Sequence, residues 1–234
     1  MAVKLEVCVD AIAGVHAAQA GGADRVELCA ALSEGGLTPS WGLMQEAAKA
    51  AIPSYAMIRP RAGLFGFDRG EKQVMLADAI AARNAGLAGI VIGIQAPDGG
   101  LDAEAMRPLM DVGLPVTLHR VIDIVPDWRA GLDVAMELGI ERVLTSGGAA
   151  RAVDGAARLA QMVAHAGSDL SIMAGSGVSA QNVADLIAAT GVSEVHASCA
   201  VTAAGDPAFS NFDPSGGRKV TDVGMVNALK ITIT

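Results

Sequence analysis

Glu6 and Cys8 lie two residues apart in the run Lys4–Asp10, and Glu27 and Cys29 repeat that spacing in Arg25–Ala30. In extended chain, i and i+2 side chains share a face. A carboxyl and a thiol presented together suit proton transfer, nucleophilic attack or soft-metal binding. The alternation recurs in Thr117-x-His119 and in Glu194-x-His196-x-Ser198. Arg59 falls on the side of Tyr55 and Met57, with Arg61 just beyond, and Thr145 alternates with Leu144. The spacing predicts that Glu6, Cys8, Glu27, Cys29, Arg59, Thr117, His119, Thr145, Glu194, His196 and Ser198 turn to one common side.

Three local constellations carry distinct chemistry. Cys8 and Cys29 sit at matching positions of successive extended runs. Two such thiols either clasp a soft cation such as Cu(I) or pack as small hydrophobes; Cys199 has the opposite parity and reads as a core thiol. His119-Arg120-x-x-Asp123 offers an acid, base or ligand in His119. Arg120 and Asp123 then either steer an anion or pair with each other. Gly175-Ser176-Gly177 bares backbone N–H groups at the start of the next helix, for which Ser179 is the expected N-cap. That arrangement suits an anion, with Thr145-Ser146-Gly147-Gly148 as a second contributor; equally, a tight strand-to-helix turn needs glycine.

The elements that must position these groups are short β-rich runs alternating with Ala-rich amphipathic runs. Lys4–Asp10 precedes Ile12–Ala20, Arg25–Ala30 precedes Pro39–Ala50, and Ser54–Pro60 precedes Glu71–Ala85. Gly89–Ile94 precedes Asp102–Asp111, Pro115–Arg120 precedes Trp128–Leu138, and Arg142–Gly147 precedes Val153–His165. Leu170–Gly175 precedes Ala180–Ala189, and Glu194–Ala200 leads through the loop Val201–Lys219 to Val220–Lys230. Eight β-then-α units predict parallel strands buried on both faces. They predict one (β/α)8 TIM-barrel domain over residues 1–234, with its site at the C-terminal ends of the strands. An open doubly wound sheet is the structural rival, but no strand ends in a G-x-G-x-x-G turn.

Composition agrees. The 234 residues fit one domain, somewhat shorter than the ~250 residues common for this barrel. Hydrophobic residues make up 52% and aromatics 3%, so the core is built from aliphatic side chains and Met. A net charge of −8 argues against nucleic-acid and membrane-surface partners. No apolar run nears the roughly 20 residues of a membrane span. Three cysteines with no secretory signal point to reduced thiols and a cytoplasmic address.

Polar groups aimed into a narrow barrel are costly unless paired or liganded. Glu6 and Glu27 are expected to be offset by Arg59, Arg61 and Arg120. One reading is a purely structural ion-pair network. The other is a ligand pocket in which Glu27 or His119 shuttles a proton while Arg59 and Arg61 hold a small phosphorylated or carboxylated metabolite. His196 is a further acid–base candidate, and Cys29 serves as nucleophile if the arginines favour its thiolate.

Across nearly its whole length the sequence resembles the CutC family, described as copper-homeostasis proteins. The resemblance rests on GGADRVELCAALSEGGLTPS (21–40), MIRPRAG (57–63), LHRVID (118–123), ERVLTSG (141–147), IMAGSGV (172–178) and EVHAS (194–198). It implies a (β/α)8 barrel, a cytoplasmic location and a homo-oligomer, dimer or tetramer. It also implies Cu(I) binding through Cys8 and Cys29. Two departures stand out. The segment 201–219 is shorter than the family's usual insertion, and LFGFD (64–68) replaces a Gly-Asp-Phe pattern, with Asp68 as a substitute carboxylate at the mouth.

Overall fold

The computed structural model describes residues 3–205, 208 and 217–234. Eight parallel strands close into a barrel in chain order. They are β1 (Lys4–Val9), β2 (Arg25–Leu28), β3 (Ser54–Met57), β4 (Gly89–Ile92), β5 (Val116–Leu118), β6 (Arg142–Thr145), β7 (Ser171–Ala174) and β8 (Glu194–Ala197). The helices that follow them are α1 (Ile12–Ala20), α2 (Trp41–Ala47), α3 (Arg69–Ala85), α4 (Ala103–Met110), α5 (Trp128–Glu137), α6 (Ala156–Ala166), α7 (Val183–Thr190) and α8 (Val223–Ile233). The chain is therefore the single (β/α)8 barrel that the eightfold alternation predicts. Among the described residues no helix is long and apolar enough to cross a membrane.

Local chemistry sets the helix boundaries. Asp102, Asp127 and Asp222 cap α4, α5 and α8 by accepting backbone N–H bonds. Asp68 and Glu71 form a reciprocal capping box at the head of α3. Asp68 is thus committed to a helix terminus and does not serve as a carboxylate at the barrel mouth. Ser179 is not the cap of α7 either: its N–H donates to Asn182 Oδ1, and the helix starts at Val183.

The segment expected to be loop after β8 begins and ends in structure. Ala200–Thr202 (β9) pairs antiparallel with Lys219–Thr221 (β10). Val201, Thr202, Val220 and Thr221 are β-branched residues that favour such pairing. Pro207, Pro214 and Gly216 lie outside the described residues.

Outward-facing strand residues such as Leu5, Val7, Val26, Leu28, Ile90 and Leu118 are fully buried against the helices. They form the main aliphatic core, to which Cys199 also belongs. Inside the barrel, Cys29, Tyr55, Met57 and Val91 form a second, smaller cluster. The single tyrosine fills the barrel floor because Gly89 leaves room for it. A Cβ there would stand 2.2 Å from Tyr55 Cε1.

Candidate functional site

Parallel register places Glu6 level with Arg25 on one side and His196 on the other, and places Cys8 level with Glu27. The interior therefore divides into a floor and a mouth. On the floor, the Arg25 guanidinium bridges Glu6 through Nε and Glu194 through Nη2, the latter at 2.6 Å. Arg142 lies 3.4 Å from Glu194 and donates to Thr117 Oγ1 at 3.1 Å and to Glu141 at 2.8 Å. Both guanidiniums flank the Tyr55 ring, 5.3 Å and 5.0 Å from its centroid. Burial opposes the charge on Glu6, but the His196 hydrogen bond and the Arg25 charge outweigh it and hold the carboxyl at about 2. Glu194 is likewise lowered: burial works against it, and Arg25 prevails.

This corrects the expected charge pairing. The arginine partners of buried Glu6 and Glu194 are Arg25 and Arg142, which open their strands, while buried Glu27 lies beside His196; none of the three arginines near the strand ends pairs with these acids. Arg59 is held by carbonyls: Nη1 donates to Glu34 O and Gly36 O, and Nη2 to Gly63 O, at 2.9–3.1 Å. Arg61 turns outward to Glu71 at 2.5 Å and to the carbonyls of Leu64 and Gly66. Arg120 pairs with Asp123 at 2.8 Å and donates to Ser146 Oγ.

Asp123 organises the turn after β6. Its carboxylate accepts from the backbone N–H groups of Ser146 and Gly148 and from the hydroxyls of Thr145 and Ser146. The Thr145–Gly148 turn, the expected second contributor to an anion site, is thus occupied by the protein's own carboxylate. Thr145 also contradicts its predicted parity. Its hydroxyl faces Asp123 and the Met162 sulfur of α6, while Leu144 faces the interior. Arg142 and Leu144 share the inward side, and Val143 and Thr145 face the helices.

At the mouth, a cavity of about 400 Å³ is lined by Cys8, Glu27, Arg59, His119, Arg120 and His196, with Phe65, Ser176 and Gly177 at its walls. A larger cleft of about 890 Å³ adjoins it at Cys8 and runs toward β10. Gly175 packs against Leu144 and His196, where a Cβ would come within 2.5 Å of Leu144 Cδ1. Ser176 holds φ 78° and donates to Ala150 O at 2.7 Å, so its hydroxyl braces the loop.

His196 Nδ1–H donates to Glu6 Oε1 at 2.8 Å, and its Nε2 lies 3.8 Å from Glu27 Oε2. Burial disfavours its charge, but Cys8, Glu27 and Glu6 raise it well above the ordinary histidine value. Glu27 is raised, chiefly by burial. Donor atoms of Cys8, Glu27 and His196 lie within 4.8 Å of one another, the one such group among the described residues that could hold a metal ion. Cys29 stands apart from it. Its thiol donates to Glu27 Oε2 at 3.5 Å, Gly36 covers it, and burial pushes its pKa well up. The arginines do not favour its thiolate.

On the opposite wall, His119 Nδ1 accepts from Val121 N–H at 3.1 Å, which places the ring proton on Nε2. Burial, with the Arg59 charge, lowers its pKa to about 3, so the imidazole is neutral. Gly93 makes the space for the ring: a Cβ would lie 2.4 Å from His119 Cε1. Phe65 packs on both partners, 4.6 Å from the His119 centroid and 5.1 Å from Arg59 Cζ. Among the described residues, four buried side-chain N or O atoms lack a hydrogen-bond partner: Glu27 Oε1, Arg59 Nε, His119 Nε2 and Arg142 Nε. Three of the four belong to residues lining the one cavity.

Comparison with known proteins places these features in a family. A relative from Caulobacter vibrioides, named CutC, is 54% identical over 198 residues, covering 84% of this chain and 81% of its own. A CutC relative from Agrobacterium fabrum is 46% identical over 237 residues, covering 98% and 94%. The crystal structure of a CutC protein from Streptococcus agalactiae, whose name associates it with copper homeostasis, superposes with a TM-score of 0.80. It is 30% identical and covers 84% of this chain and 98% of its own. The profile of the CutC family matches residues 3–201, from the first strand through all eight, and the chain belongs to that family.

Proposed function

We propose that this barrel is an enzyme acting by acid–base chemistry on a small anionic metabolite held in the cavity at its mouth. The observation that carries this reading is that three residues lining one cavity, Glu27, Arg59 and His119, each keep a buried atom without a partner: Oε1, Nε and Nε2. Leaving a buried polar group unsatisfied costs ~1–3 kcal/mol. A site that carries three such costs in one place is paired when a ligand enters. Glu27, raised by burial and 3.8 Å from His196, is the proton carrier. His196, anchored to Glu6, relays or balances that proton. Arg59 supplies the positive charge that selects an anion.

The test is a thermal-shift panel of small carboxylates and phosphate esters. A ligand at a hundredfold excess over its Kd stabilises by ~2.7 kcal/mol, about 5–10 °C for a domain of this size. Glu27→Gln should preserve that shift and abolish turnover. A panel that produces no shift at millimolar concentrations overturns the reading.

A second reading is Cu(I) binding, favoured by the convergence of Cys8 and His196, a thiol and an imidazole, within the donor group. The grouping of Cys8 with Glu27 and His196 supports Cys8 as the main thiol ligand and Cys29 as the lesser one. Chelator competition should show Cys8→Ser losing Cu(I) affinity far more than Cys29→Ser, and equal losses would contradict this donor set. A cytoplasmic location and a homo-oligomeric assembly complete the proposal.

A further inference from the structure

Resting on that ligand-pocket reading, we infer that Arg59 and His119 form a rigid two-donor cradle for a carbonyl or carboxylate oxygen. The bound group is therefore a carboxylate or carbonyl compound, not a phosphoryl group. Both side chains are at least nine-tenths buried, with exposures of 6% and 4%, and each keeps one N–H without an acceptor. Neither is free to turn away. Three carbonyls grip Arg59 through its Nη atoms, leaving Nε–H as the donor without an acceptor. The Val121 N–H fixes the His119 tautomer, and Gly93 and Phe65 fix the ring plane. Donors held this way need no reorganisation when negative charge gathers on an oxygen between them.

Donor count and charge select the ligand. The cradle offers one guanidinium N–H and one neutral imidazole N–H, which match the lone pairs of a single oxygen or one carboxylate. A phosphate ester brings two charges and three acceptor oxygens. The amide-rich turn after β6 is filled by Asp123, and in the turn after β7, at the cavity wall, the Ser176 hydroxyl is spent on Ala150 O. A neutral histidine also adds no second charge for a dianion, whereas it polarises a carbonyl well.

The decisive experiment is calorimetric titration of oxalate, a planar dicarboxylate, and of inorganic phosphate into the wild type, His119→Asn and His119→Gln. Asn keeps the acceptor for Val121 N–H but loses the far donor; Gln places an N–H near the position of Nε2. Oxalate should bind the wild type more tightly than phosphate. His119→Asn should weaken oxalate by about tenfold or more, and His119→Gln should weaken it less. The Nε2–H resonance of His119 should move on oxalate addition, a readout that stands even if a variant fails to fold. Tighter binding of phosphate, or equal losses in the two variants, overturns the cradle while leaving an anion pocket. Binding of neither anion to the wild type removes both the cradle and the pocket reading beneath it.

Discussion

Acid should destabilise this protein through His119, and the size of the effect follows from its surroundings. The folded imidazole takes up a proton only near pH 3, against about 6.5 in the unfolded chain. Between those values the unfolded state binds more protons, so stability falls as pH falls below 6.5. At pH 5 the differential is about 2 kcal/mol relative to pH 8, and below pH 3 it reaches roughly 5 kcal/mol. His119→Asn keeps the bond to Val121 N–H but cannot titrate. Urea unfolding followed by circular dichroism at pH 8, 7, 6 and 5 should show the gap between wild type and variant shrinking by about 2 kcal/mol. The titrations of Glu6 and His196 occur in both proteins and cancel in that difference. Each kcal/mol corresponds to about 2–4 °C in Tm at this size, well within calorimetric reach. A gap that stays constant with pH would refute the reasoning, as would a His119 ring resonance in the folded protein titrating near 6.5.

Other perturbations separate the floor from the mouth. Arg25→Met strips Glu6 and Glu194 of their shared guanidinium and should cost ~3–5 kcal/mol, lowering Tm by about 10 °C in scanning calorimetry. Gly93→Ala pushes a methyl into His119 and should abolish oxalate binding in the same titration, with a stability loss of about 1–3 kcal/mol. Cys8, partly exposed at the junction of the two cavities, should be alkylated by iodoacetamide in the native protein. Cys29, and Cys199 with its thiol pushed by burial to about 11, should react only after unfolding, as read by peptide mass spectrometry.

The barrel was legible because a parallel strand buried on both faces and an Ala-rich amphipathic helix leave different periodicities, and the chain repeats the pair eight times. Alternation also placed Glu6, Glu27, His119 and His196 on the interior, since side-chain parity is a local property of extended backbone. What alternation does not encode is which inward charges meet across the barrel. Arg25 and Arg142 open their strands, where a reading drawn to strand ends overlooks them. Their signal was present, because Arg25 shares parity with Glu27. Arg59, Arg61 and Arg120 were legible as cations at the mouth, but their partners lie in loops whose path depends on tertiary packing. Phe65 carried a compositional signal as one of four phenylalanines in the chain. Its position over Arg59 and His119 depends on a loop fold that no period describes.

The rival sequence readings, a structural ion network and a ligand site, describe two layers of one interior. On the floor, Glu6 and Glu194 face Arg25 and Arg142, so opposite charges balance and the polar atoms are largely satisfied. At the mouth, among the described residues, Glu27 has no arginine partner and three polar atoms are left over. Had the mouth been built only for stability, apolar residues of similar volume would have served as well or better. Glu6 joins the layers: one oxygen takes Arg25 and the other takes His196 Nδ1–H. Arg25 keeps Glu6 ionised, and ionised Glu6 fixes which nitrogen of His196 faces Glu27. The floor thereby sets the protonation geometry of the site above it, which is a task a buried ion pair performs and an aliphatic floor cannot.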